Sequence, residues 1–197
     1  MVSVPMAIVD FIPVILFTVS AVMLQKEFYD RMNKAVFAVF SAGTIMITTA
    51  GIFKATWKLL LALSNYDFDR LNQSFFPLQS VGFLLAGIAV MAMVIGKKKD
   101  TVNSVAPVLF TGTWIFVSVM ILGMLGLCTG LSVEAFKRKK IPAMIMYIVT
   151  FFLMLCMGYL SSRNFEQASM NWIAEVVNIA GWLIFLVGTR LLTAKGK

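Results

Sequence analysis

Four ionisable side chains stand where a hydrocarbon environment makes them expensive. Asp10, Lys54, Lys58 and Glu175 each fall inside a long run of apolar residues. A charged group in such a run must be paired, hydrated, protonated or turned toward a polar interior, and by default it marks a functional site. Gln79, in a further apolar run, and Asn178, in the run of Glu175, add amide donors and acceptors. These residue types offer recognition and ion handling rather than bond-making. Carboxyls take a cation or a proton, ammonium groups take an anionic headgroup or solute, and amides orient either. The expected ligand-binding set is Asp10, Lys54, Lys58, Gln79, Glu175 and Asn178, serving a small solute or a lipid-like ligand.

Local patterns refine this set. Pro13 lies three residues after Asp10, so the helix loses its hydrogen bond to the Val9 carbonyl beside a carboxylate. Broken transmembrane helices use such freed carbonyls at ion sites; a hydrated helix end would place Asp10 there equally well. Asn171, Glu175, Asn178 and Trp182 follow an i, i+4, i+7, i+11 spacing, which is one helix face. In a membrane that face turns inward, either for interhelical hydrogen bonds or for a solute. Lys54 and Lys58 flank Trp57 one turn apart. They suit snorkelling at an interface, or a cationic wall around an anionic group.

Several chemistries are excluded. The chain has no histidine, which removes His-based metal, haem and acid–base chemistry. No GxSxG, HExxH or phosphate-binding loop occurs. Asn65, Asp67 and Asp69 lack the glycine and distal glutamate of a calcium loop. Cys128 and Cys156 lie in apolar runs without a CxxC, and are expected to be free thiols. The expectation is a non-enzyme with no catalytic residue, no metal and no cofactor.

The elements that position these residues follow from composition. Hydrophobic residues make up 60% of the 197 and charged residues 13%, against about 45–50% and about 25% in soluble domains. Mean hydropathy is +0.89. The fold class expected is all-α: a polytopic transmembrane helix bundle of six or seven spans. Residues 1–197 form a single transmembrane domain with no soluble domain. Apolar runs cover Val4–Leu24, Ala35–Leu63, Phe75–Gly96, Ser104–Phe136, Ile141–Leu160 and Met170–Leu192. Pro5, Pro77, Pro107 and Pro142 fall near the starts of runs, where a first helical turn tolerates them. Pro13 alone is expected within a span.

The net charge of +8 sits in blocks beside apolar runs. Lys97–Lys99 and Lys137–Lys140 read as topology signals facing anionic lipid, not as a nucleic-acid surface. If the run from Ser104 to Phe136 crosses once, these blocks face opposite compartments and the charge rule has no preference. If it turns back, near Gly123, Gly126 and Gly130, both blocks lie inside. So then do Lys26, Arg31, Lys34, Arg190, Lys195 and Lys197, leaving Lys54, Lys58, Arg70 and Arg163 outside. That bias favours seven segments, N-terminus outside and C-terminus inside, in the cell (inner) membrane. The run's 33 residues then make two short helices of about 22 Å each.

In that arrangement Asp10, Lys54, Lys58, Gln79 and Glu175 reach similar depth and can share one outward vestibule. With six spans Glu175 lies at the opposite face. The bilayer is the first partner expected, with a small solute or lipid-like ligand the second. A homo-oligomer or another membrane protein is a further possible partner. The reading is transport or binding of a ligand through a polar site in the bundle. The alternative is a non-catalytic sensor, immunity or assembly subunit that presents a small-residue face such as Gly126/Gly130 or Gly82/Ala86 to another membrane protein.

The topology is testable directly. Lys99→Cys and Lys139→Cys are expected to react with an impermeant thiol reagent from the same, cytoplasmic face. Labelling from opposite faces contradicts the favoured arrangement.

Overall fold

A computed structural model describes residues 3–64, 67–96, 113–161 and 168–194. These residues are all-α. The helices are α1 (Val4–Val9), α2 (Phe11–Phe28), α3 (Lys34–Ser64), α4 (Asp69–Ile95), α5 (Thr113–Lys137), α6 (Ile141–Ser161) and α7 (Ala168–Thr193). Helices α1 and α2 form one span interrupted at Asp10. Pro5 occupies the first turn of α1. Four residues past Val9, the ring of Pro13 denies α2 a regular continuation from α1. Among the described residues, six helical stretches are long and apolar enough to cross a membrane. The protein is therefore a multi-pass membrane protein whose surroundings are a lipid bilayer.

The helices close into a ring. Each packs against its neighbours in the chain, and α7 returns to pack on α2. Helices α2 and α3, α3 and α4, α5 and α6, and α6 and α7 run antiparallel. Helices α4 and α5 run parallel. Gly123 lies against Phe83, Gly130 against Val90, and Lys137 Nζ donates to the Val94 carbonyl at 2.7 Å. Both therefore end on the same side of the bundle. Residues 97–112, which include Lys97–Lys99 and Pro107, lie outside the described residues.

This corrects the expected turn at Gly123–Gly130. Residues 113–137 are one continuous helix, and the glycines serve packing instead. A Cβ on Gly87 would collide with the Gly123 carbonyl oxygen. One on Gly43 would stand 2.7 Å from the Gly82 carbonyl oxygen. Hydrogen-bonded helix can run through glycine, so the missing side chains bring α3, α4 and α5 into backbone contact rather than turning the chain. The position of Pro77 is a second correction. Helix α4 begins at Asp69, so Pro77 lies inside it. Polar residues 69–74 extend the helix beyond the apolar run, with Gln73 donating to Asp69 and Ser74 to the Arg70 carbonyl.

One end of the ring is basic. Lys26, Arg31, Lys34, Lys137–Lys140 and Arg190 gather where α2, α5 and α7 end and where α3 and α6 begin. The α5–α6 turn is a Schellman closure. Lys139 takes φ 58°, its N–H donates to Phe136 O, and the Lys140 N–H donates to Ala135 O, both at 2.9 Å. The opposite end carries Lys54, Lys58 and Arg70 among the described residues. Cys128 is buried in α5 and Cys156 exposed on α6, both as free thiols.

The glycine seams give a contrast. Gly87→Val forces methyl groups into the α5 backbone and is expected to cost more than about 2 kcal/mol. Gly158→Ala, whose Cβ would meet nothing within 4 Å, is expected to leave stability within about 0.5 kcal/mol. Thermal unfolding of the two variants in detergent checks this; equal destabilisation would contradict the seam.

Candidate functional site

The break between α1 and α2 presents the Asp10 carboxyl to the bundle interior, where it is 8% exposed. Lys58, on the antiparallel α3, reaches Asp10 Oδ2 as an ion pair. One turn earlier on α3, Lys54 Nζ donates to Asn72 Oδ1 of α4 at 2.5 Å. It lies 4.6 Å from the centre of the Trp57 ring and 5.5 Å from that of Phe75. Trp57 in turn donates to Asp67 Oδ1 at 2.8 Å. Lys54 is therefore held by an amide and two ring faces, while Lys58 is held by a carboxylate.

Helix α7 supplies the remaining polar face. Glu175 is 4% exposed, so the structure turns it inward. Its immediate neighbour is Asp10, with Lys58 the cation within electrostatic reach. Of the residues expected to share its vestibule, the second acid is the one it meets. The parallel run of α2 and α7, set by Phe17 against Trp182, places the two acids at matching heights. Glu175 Oε1 and Asp10 Oδ1 are buried, and apart from the contact between the two acids neither meets a donor among the described residues.

All six candidate residues border one cavity of about 440 Å³. Asp10, Lys54, Lys58, Gln79, Glu175 and Asn178 lie on its wall, together with Asn171. The four ionisable groups are two acids and two bases, so their formal charges cancel. Apart from Thr48, the rest of the wall is apolar. Phe17, Phe75, Phe76, Phe83 and Trp182 contribute rings, and Met120, Met154 and Met157 contribute thioethers from α5 and α6. The α1–α2 break and helices α3, α4 and α7 supply the polar groups, while α5 and α6 supply only pliant apolar surface.

The floor is aromatic. Phe83 stacks on Trp182 at 6.2 Å, and Trp182 meets Phe17 at 4.8 Å and Phe185 at 5.5 Å. Trp182 stands near the middle of α7, so the cavity reaches mid-height in the bundle. Beneath this floor the core is filled by Leu24, Phe28, Phe40, Leu127 and Leu131.

The sequence reading missed a second polar cluster at the basic end. Arg138 pairs with Glu27 at 2.6 Å and Glu134 at 2.7 Å, and Arg31 pairs with Glu134 at 2.9 Å and Glu27 at 3.3 Å. Lys140 Nζ donates to the Leu192 carbonyl at 2.9 Å. These contacts fasten the ends of α2, α5 and α7 together. The available signal was the i, i+4 spacing of Glu27 with Arg31 and of Glu134 with Arg138. Among the described residues no cluster of acids, histidines or cysteines could hold a metal ion.

No protein-family model matches the chain, and no curated protein or solved structure is significantly similar to it. Function is therefore argued from the site itself.

The ion pair makes an ordered prediction. Lys58→Met strands Asp10 and Glu175 together without their cation and is expected to cost about 3 kcal/mol. Asp10→Asn costs less, because Glu175 remains near Lys58. The double variant Asp10→Asn/Lys58→Met is expected to recover most of the loss. Additive losses in a thermal-unfolding cycle would contradict the pairing.

Proposed function

We propose that this chain binds a small solute or lipid-like ligand in the cavity and moves it across or within the membrane. The observation that carries the reading is the convergence of six polar and charged side chains, from three helices and the α1–α2 break, on one largely apolar pocket. Ligand sites combine such walls with a few convergent polar groups. In transporters they lie beside interrupted helices, as Asp10 does here, and reach toward mid-membrane, as the cavity does at Trp182. Placing the basic end in the cytoplasm follows the charge rule and makes the cavity half the outer half of the cell membrane. The aromatic floor and the Glu27–Arg31–Glu134–Arg138 cluster then close the cytoplasmic side.

The assembly-subunit reading called for a small-residue face left for a partner. Gly82 packs on Gly43 and Ile47, Gly126 on Gly87, and Gly130 on Val90. Those faces are occupied within the chain, which favours the cavity. The polar groups suit recognition and lack a nucleophile–base pair, so the proposed role is non-catalytic.

A solute panel tests this. Purified protein is screened by thermal unfolding against amines, amino acids, carboxylates, sugars and lysolipids. At least one class is expected to raise the midpoint by several degrees at saturating concentration. Glu175→Gln and Asn178→Leu are expected to fold with unchanged helicity and to lose the shift. If no class shifts the wild type, or if the variants respond as the wild type does, the cavity is not a ligand site.

A further inference from the structure

The polar groups of the cavity are unequally satisfied, and the inequality points to the charge of the ligand. Lys58 already has Asp10, and Lys54 already has Asn72 and two ring faces. The atoms left over are acceptors: Asp10 Oδ1 and Glu175 Oε1 are buried, and apart from the contact between the two acids neither meets a donor among the described residues. Their residues are 8% and 4% exposed, border the same cavity and lie beside one another. A buried carboxylate oxygen left unpaired is costly, and a donor that reaches it recovers that cost. The rings of Phe17, Phe83 and Trp182 line the space below. Their negative π-faces favour a cation and an apolar body together.

We infer that the cavity selects an organic ammonium ion carrying N–H groups, which donate to Asp10 Oδ1 and Glu175 Oε1 while an apolar body rests on the aromatic floor. The inference rests on the cavity being a ligand site and names the ligand class for it. A primary ammonium has three donors in a compact head, enough to span two neighbouring carboxyls. A quaternary ammonium has none. An anion would meet the two acids while finding both lysines already engaged. The same head occurs on free amines and on aminophospholipids, and the source is separable by experiment.

Binding is measured on the full-length protein in phosphate buffer, free of amine buffers, by titration calorimetry and thermal unfolding. The probe is 2-phenylethylamine, compared with 2-phenylethanol, 3-phenylpropanoate and phenethyltrimethylammonium. The primary amine is expected to bind at least tenfold more tightly than each of the other three. Glu175→Gln is expected to weaken it at least tenfold with helicity unchanged. Mixed micelles containing phosphatidylethanolamine are expected to compete with the probe if the lipid headgroup is a natural source, and phosphatidylcholine micelles are not. Competition by neither lipid assigns the site to free amines, and competition by both overturns the requirement for N–H groups. Equal binding of the quaternary ion overturns that requirement as well. Tighter binding of 3-phenylpropanoate overturns the ammonium assignment while leaving the cavity a ligand site. Saturation by sodium or potassium chloride alone, abolishing amine binding, makes it an inorganic-cation site and overturns the inference. Failure of all four probes, together with failure of the wider solute panel, removes both the inference and the reading beneath it.

Discussion

An ion pair buried among membrane helices, Asp10 with Lys58, constrains everything around it. Removing two charges from water is repaid only when they meet each other and further polar groups. That requirement fixes which way the first span faces and holds α3 beside it. It also accounts for the break at Asp10, since a regular helix through Pro13 would lack a hydrogen bond at this depth. Glu175 then sits against the same pair from α7. The cavity is the space that this charge cluster and the surrounding rings leave between them.

The ring is uneven in a way that serves the cavity. Helices α3, α4 and α5 meet backbone to backbone through Gly43, Gly82, Gly87 and Gly123. At these glycines the seam leaves no room for a side chain. Across the ring, α6 and α7 meet through larger groups. Gly181 receives the side chain of Met154, and Gly188 that of Met146. Methionine adapts to what it touches, so the wall containing Met154 and Met157 is the compliant one. At the basic end the arginine–glutamate cluster and the Lys140–Leu192 contact tie three helices together. Bundle rigidity is thus concentrated at the seam and the basic end, away from the cavity half.

Hydrophobic run length and proline placement made the helices legible in the sequence. Lys34–Ser64 and Ile141–Ser161 differ from the apolar runs by only a residue or two at each end. The six candidate residues were legible as well, because charge and amide groups inside apolar runs are conspicuous. The approach of Asp10, Lys54, Lys58, Gln79 and Glu175 to one another followed from the positive-charge bias, which orders the spans without any contact information, while Asn178 followed from the polar stripe of the last run. Glycine was the ambiguous sign. At Gly123 and Gly126 the same residue type permits a turn or a close helix contact, and only the partner helix decides. Pro77 was misplaced because polar residues 69–74 continue a helix that hydropathy alone ends at Phe75. The pairing of Glu175 with Asp10 was not legible, since it depends on the parallel register of α2 and α7.

The central claim is that a polar, water-reachable cavity enters the bundle from the face opposite the basic end. Accessibility of Asn178→Cys measures this most directly, in a chain whose Cys128 and Cys156 are replaced by alanine. An impermeant thiol reagent applied from outside intact cells is expected to label Asn178→Cys, while Lys139→Cys reacts only after the membrane is opened. Asn178→Cys that stays unreactive from both faces, or that reacts only from the face of Lys139, would contradict the account.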